Sequence, residues 1–185
     1  MEEQERKVVV EQLTGSRERL LGLVDGLTAE QWSYRTGEGR WSINECLEHV
    51  MRVENRMLGI ITTKVAEGAA EPAKPEVRDK DEVVKKLVLD RSTARQAPEP
   101  ARPTGMLADS QLLEEFGKTR QRTIDFVKTT DSDLRRYFHS HMALGELDCY
   151  QWLLVLSLHG SRHALQIEEI QASPAFPGKS QATLA

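Results

Sequence analysis

Four stretches of this chain repeat their apolar residues every three or four positions, so each forms a helix with one narrow apolar stripe to hide from water. The first runs from about Glu5 to Leu27 and aligns Val9, Leu13, Leu20, Val24 and Leu27. The second follows a Gly-rich turn at Gly37 and Gly39. There Ser42 and Glu45 form an S-x-x-E capping box, in which each side chain satisfies the other's orphan backbone donor. It should reach about Lys64, with Ile43, Cys46, Leu47, Val50, Met57, Leu58 and Ile61 inward. Ser110 to Thr130 carries Leu113, Phe116, Ile124 and Val127, and the last helix starts at the capping residue Asp148 and ends near Ala172, before Pro174 and Pro177.

No segment alternates apolar and polar residues for long enough to announce a sheet. Four striped helices have to bury their stripes against one another, so the expected fold class is all-α, a four-helix bundle. Between helices two and three, residues 67–104 turn to Ala, Pro and charge, with Pro72, Pro75, Pro98, Pro100 and Pro103 forbidding a long helix. A short helix fits from Asp79 to about Ser92, where Val83, Val84, Leu87 and Val88 recur at helical spacing. One domain over residues 1–172 is expected, followed by a frayed or surface-bound tail, 173–185.

Composition excludes several roles. With a net charge of −4 and a pI near 5.8, the chain has no general positive field for a phosphate backbone, so nucleic acid is not an expected partner. The start, MEEQERKVVV, lacks the pattern of a secretion signal, and the run from Trp152 to Leu158 is too short to span a bilayer. A cytosolic protein without a membrane partner is the reading. Cys46 and Cys149 stand alone, in separate helices, as small apolar thiols.

The chemistry lies in the last helix. His159 and His163 are four residues apart, and they share one stripe with Trp152, Leu156, Ile167 and Ile170, so both imidazoles point inward. Two adjacent rings in an apolar stripe disfavour a second proton, whereas a metal ion would use both as neutral ligands. His49 sits at the edge of the helix-two stripe, beside Cys46 and Val53, and can supply a third imidazole. Three imidazoles with an open position suit water activation, and nitrogen ligation fits Zn, Ni, Cu or Fe better than Mg or Ca. The alternative is plain: an H-x-x-x-H pair also describes hydrogen-bonded core histidines, and His49 alone reads as a half-exposed helix residue.

The segments WSINECLEHV (Trp41–Val50), LGELDCYQWLL (Leu144–Leu154) and HGSRHALQIEEI (His159–Ile170) together resemble the DinB superfamily, including its YfiT-like members, over nearly the whole chain. The resemblance implies a four-helix bundle, often a homodimer, that binds one divalent metal ion through His49, His159 and His163. Zinc or nickel comes first, with manganese or iron as alternatives. It also implies a small-molecule substrate and a metal-dependent hydrolase or, alternatively, a transferase or isomerase using a low-molecular-weight thiol. A non-catalytic, stress-related bundle is the reading from a different class. Relatives often carry H-P-x-x-G before the last helix. This chain has His141-Met142-Ala143-Leu144-Gly145, without the proline.

Two further residues are candidates for catalytic work. His141 can shuttle a proton, and Glu45, one turn before His49, can act as a base or orient an imidazole, although its capping role already accounts for it. His139 reads as structural or exposed and Trp41 and Trp152 as core anchors, while Arg162 and Gln166 can each contact a ligand's carboxylate or amide, with a surface ion pair to Glu168 or Glu169 accounting for Arg162 equally well.

Overall fold

Side-chain caps mark where two of the long helices begin. The computed structural model describes residues 1–92 and 96–178. Its elements are α1 (Glu3–Val24), α2 (Ala29–Ser33), α3 (Ile43–Ala66), α4 (Pro75–Arg78), α5 (Asp81–Leu89), α6 (Asp109–Thr129), β1 (Phe138–His141), β2 (Gly145–Asp148) and α7 (Cys149–Ala172). The Ser42–Glu45 box caps α3 as the sequence requires: Glu45 N donates to Ser42 Oγ at 3.3 Å, and Ser42 N to Glu45 Oε2 at 2.8 Å. Asp148 caps α7 through Gln151 N at 2.7 Å.

The four long helices α1, α3, α6 and α7 form the bundle. Helix α1 packs on α6 and α7, and α3 packs on the same two, so α1 faces α3 across one diagonal and α6 faces α7 across the other. Helix α5 lies on the outer side of α7. This explains why every residue of α7 from Cys149 to Leu158 is buried: a helix covered from several sides is apolar all round rather than striped. The inward residues of α1 and α3 agree with the periodicity. On α6, however, Leu112 takes the fully buried place expected for Leu113.

Three local features depart from the sequence reading. Helix α1 stops at Val24 rather than Leu27, because Gly26 adopts φ +67°, the left-handed turn that closes a helix. A short helix, α2, follows it under a Thr28–Gln31 capping box and buries Trp32. The loop before α7 is an antiparallel hairpin, pairing Phe138 with Asp148 and His141 with Gly145. Its strands are four residues each, too short for alternation to register. In the connection, α5 falls within the helix expected over Asp79 to Ser92, and the one-turn α4 precedes it. The tail is docked as far as Gly178: Phe176 is buried with its ring edge-on to Tyr34, and Gln31 Nε2 donates to the Pro177 carbonyl at 3.0 Å. The rest of the expected tail, 179–185, lies outside the described residues.

Candidate metal centre

Helices α3 and α7 are bundle neighbours, and their seam is where His49 meets His159 and His163. One ligand nitrogen from each ring lies within 4.8 Å of the others. His159 Nε2 stands 3.2 Å from His49 Nε2 and 3.2 Å from His163 Nε2. Among the described residues this is the one group of three or more potential ligands that converges in this way.

Protons decide what such a group can do. His49 Nδ1 donates to the Ala101 carbonyl at 2.7 Å, so its Nε2 carries a lone pair aimed at its neighbours. With three neutral rings, a single N–H on His159 cannot point along both 3.2 Å contacts, and at least one pair of nitrogens is left without a well-aligned hydrogen bond. A cation accepts all three lone pairs at once. Imidazole nitrogens bonded at about 2.0–2.1 Å in tetrahedral directions stand about 3.3–3.4 Å apart, close to the separations found here. The donor set and its spacing therefore fit a divalent transition metal.

The surroundings keep the rings neutral. His49 and His163 are buried, and His159 retains a little solvent-exposed surface although atoms crowd it on most sides. Burial pushes His159 well below the ordinary imidazole range, with His163, His49, Arg162 and Arg120 adding to the effect. Burial does the same to His163, helped by His49, Arg162 and Arg91, while Gln166 opposes it. His49 is also lowered, by burial first, and the Ala101 hydrogen bond works the other way. His163 Nδ1 is buried with no hydrogen-bond partner; Gln166 approaches the ring without supplying one there.

Trp41, expected as a core anchor, is half-buried and lies against two of the rings: 4.7 Å from His49 and 6.2 Å, stacked, from His163. Two other contributors were not anticipated. One is Ala101, in a 3-10 turn (Glu99–Ala101) where the Pro-rich connection returns to α3. The other is Glu48, which is buried and accepts from Thr104 N at 2.9 Å, Thr104 Oγ1 at 2.6 Å and Gly105 N at 2.8 Å. Burial alone would raise its carboxyl; the Thr104 and Gly105 bonds, with Arg52, hold it below the usual value. Periodicity is blind to such contacts, because the partners are separated by more than fifty residues of chain.

The other candidates stand apart from the three rings. Glu45 is engaged by its own cap and by Arg35 Nη2 at 2.8 Å. His141 packs on Trp152, 5.1 Å between ring centroids, and Trp152 is seven residues, about 10 Å of helix rise, before His159. Its Nδ1 accepts from Ala143 N at 3.1 Å and Leu144 N at 3.2 Å, which places the proton of the neutral ring on Nε2. His139 also lies against Trp152, whose Nε1 donates to the His139 carbonyl at 3.0 Å. Glu168 pairs with Arg19 and Glu169 with Arg91, and Arg162 turns toward α5. It donates to the carbonyls of Val88 and Asp90 at the end of α5. Burial pushes both cysteine thiols up to about 12, in keeping with small apolar fillers.

Three imidazoles thus gather on two neighbouring helices of a four-helix bundle, and comparison with known proteins places the chain in a family. Residues 12–167 match the DinB superfamily, and the chain belongs to that family. It is similar to YuaE of Bacillus subtilis strain 168, described as an uncharacterized protein: 24% identity over 148 residues, covering 79% of this chain and 86% of that one. Among solved structures it resembles YfiT from Bacillus subtilis, described as a probable metal-dependent hydrolase with an unusual four-helix bundle topology. That match has a TM-score of 0.55 at 15% identity, and covers 93% of this chain and 89% of the other. At that identity the likeness speaks for the fold. No helix among the described residues is long and apolar enough to cross a membrane.

Proposed function

We propose that this chain binds one divalent transition-metal ion through Nε2 of His49, His159 and His163 and is a metal-dependent hydrolase of a small-molecule substrate in the cytosol. The supporting observation is the pair of 3.2 Å contacts between nitrogens whose protons cannot satisfy one another. YfiT, described as a probable metal-dependent hydrolase, shares the fold. Zinc and nickel suit three neutral imidazoles best, with manganese or iron as alternatives.

When bound, an ion in such a set lowers the pKa of a coordinated water from about 15.7 toward 7 and polarises a carbonyl. The chain's own residues set the stage. Ala101 keeps the His49 proton on Nδ1, Trp41 walls off two of the rings from water, and burial keeps all three neutral at physiological pH. His141, held as an Nε2–H donor, suits hydrogen bonding to a substrate better than accepting its proton.

A second reading, transfer of a low-molecular-weight thiol, is favoured by one observation. Glu45 and Glu48, the carboxylates nearest His49 along α3, are both committed to other partners. Deprotonating a thiol on a metal needs no separate base, so this chemistry tolerates their engagement. Elemental analysis of untagged protein should find about one metal ion per chain, lost in His49→Ala and His163→Ala. An ester and amide screen run beside a thiol-conjugation screen then separates the two chemistries. Untagged protein that takes up no transition metal would sink both.

A further inference from the structure

Residues Pro98 to Gly105 form a strap across α3, fastened by three side chains from a single turn of that helix. His49 Nδ1 holds the Ala101 carbonyl. Arg52 Nη2 donates to the Pro100 carbonyl at 3.2 Å. Glu48 takes the Thr104 amide and hydroxyl on Oε1 and the Gly105 amide on Oε2. Gly105 adopts φ +67°, a turn that glycine makes without strain. Pro98, Pro100 and Pro103 stiffen the segment, so fixing one end of it fixes the carbonyl a few residues away.

The placement of Glu48 is costly unless it serves something. Its side chain is 3% exposed, and it caps no helix; all three of its short hydrogen bonds go to the strap. Arg52, at 3.8 Å, is too distant to neutralise it well. The carboxylate thus spends all three of its hydrogen bonds on fastening the piece of chain that supplies the acceptor for His49 Nδ1.

We infer that Glu48 is a positioning residue for the histidine centre: by clamping Thr104 and Gly105 it seats the Ala101 carbonyl against His49 Nδ1 and so fixes the tautomer whose Nε2 lone pair faces His159 and His163. The inference rests on the reading of the three imidazoles as ligands. It adds a residue that touches neither the ion nor the rings. Glu48→Gln keeps the size of the side chain but turns an amide toward one of the strap's donors, which loosens the clamp on one side.

Two readouts test it on the full-length protein. In metal-free wild type above pH 8, ¹⁵N shifts of His49 should report a single tautomer with the proton on Nδ1. Glu48→Gln should give a mixture of tautomers. With Co(II) as the probe, Glu48→Gln should bind on the order of tenfold more weakly and show altered d–d bands, the scale expected when support of a ligand is removed. Pro100→Gly, which slackens the strap without touching Glu48, should shift both readouts the same way and covers the case in which Glu48→Gln does not fold. Variants that keep the wild-type tautomer, Co(II) affinity and spectrum, and lose only melting temperature, would overturn the inference and leave Glu48 a structural anchor. Wild type that binds no Co(II) would overturn the reading of the centre itself, and the two failures are distinguishable.

Discussion

At the N-terminal end of α7, the Arg135 guanidinium meets Asp148 Oδ2 at 2.9 Å, Glu5 Oε1 at 2.6 Å and Asp81 Oδ2 at 2.6 Å, and lies 3.9 Å over the Tyr150 ring. About three turns further along the same helix, His163 is buried and His159 keeps only part of its surface in contact with water, but there is no such closure. Around Arg135 three carboxylates share one guanidinium, each hydrogen-bonded to it within the protein, and the cluster ties α1, α5 and α7 together. Around His159 the lone pairs converge on one another. The difference separates a polar cluster that serves the fold from one that asks for a ligand: the first is complete when the chain is folded, the second is not.

The largest effect should come from breaking the closed cluster. Arg135→Met leaves the buried Asp148 carboxylate without its partner and should cost about 3–5 kcal/mol in urea denaturation. The loss should be the same with and without added metal. A cost below about 1 kcal/mol would mean that the carboxylates reach water, and the contrast between the two clusters would fail.

The open cluster should behave in the opposite way, gaining from what is added. Zinc at a hundred times its dissociation constant should stabilise chelator-stripped protein by about 2.7 kcal/mol, or roughly 5–10 °C in melting temperature for a chain of this length. His163→Ala should abolish the gain. Differential scanning calorimetry decides the point: if zinc, nickel, cobalt and manganese all leave wild type unmoved, the imidazoles are core residues.

Acid should find the two clusters in different windows. His49, His159 and His163 have folded pKa values below their unfolded value of about 6.5, so below that pH the unfolded chain binds more protons than the folded one. Stability held by their neutrality is complete above about pH 6.5. It falls as the pH drops toward the folded values, at up to about 1.4 kcal/mol per pH unit for each histidine. Asp81 differs: burial would raise it, but its bonds to Arg135 and Gln151 prevail and lower it, so its share is lost only below the ordinary aspartate value of 3.8. Metal-free wild type should therefore weaken between pH 6.5 and 5, and a His159→Gln, His163→Gln double variant should show a flatter profile there. Equal slopes for the two would refute the assignment.

The same contrast shows what the residues announced in advance. Val9, Leu13, Ile43, Leu47, Ile167 and Ile170 occupy their expected places because an apolar stripe records burial directly. The histidines were readable because they interrupt such a stripe. Ser16 interrupts the α1 stripe in the same way, and it accepts from the buried Arg120 at 2.7 Å. Helix α2 left a trace too, since Thr28 and Gln31 form a capping box as clear as that of Ser42 and Glu45. The hairpin and the strap left none. Four-residue strands carry no period, and the bonds from Glu48 to Thr104 and from His49 to Ala101 join segments that only the finished bundle brings together.

The smallest effects should fall on Glu45 and His141, the two further candidates that lie outside the centre in space. Glu45→Gln can keep an acceptor for the cap but gives up the charge facing the partly exposed Arg35, a pair worth no more than about 1 kcal/mol. It should leave Co(II) affinity within about twofold of wild type. His141→Ala removes the ring that Ala143 and Leu144 donate to and loosens the hairpin turn, again with metal affinity unchanged. Its effect on turnover sharpens the picture: a fall in kcat with no change in metal binding makes His141 a donor to the substrate, whereas no change in either confines it to the turn. A loss of metal affinity in either variant, measured by Co(II) titration, would mean that the centre extends beyond the three imidazoles to residues whose hydrogen bonds lie elsewhere.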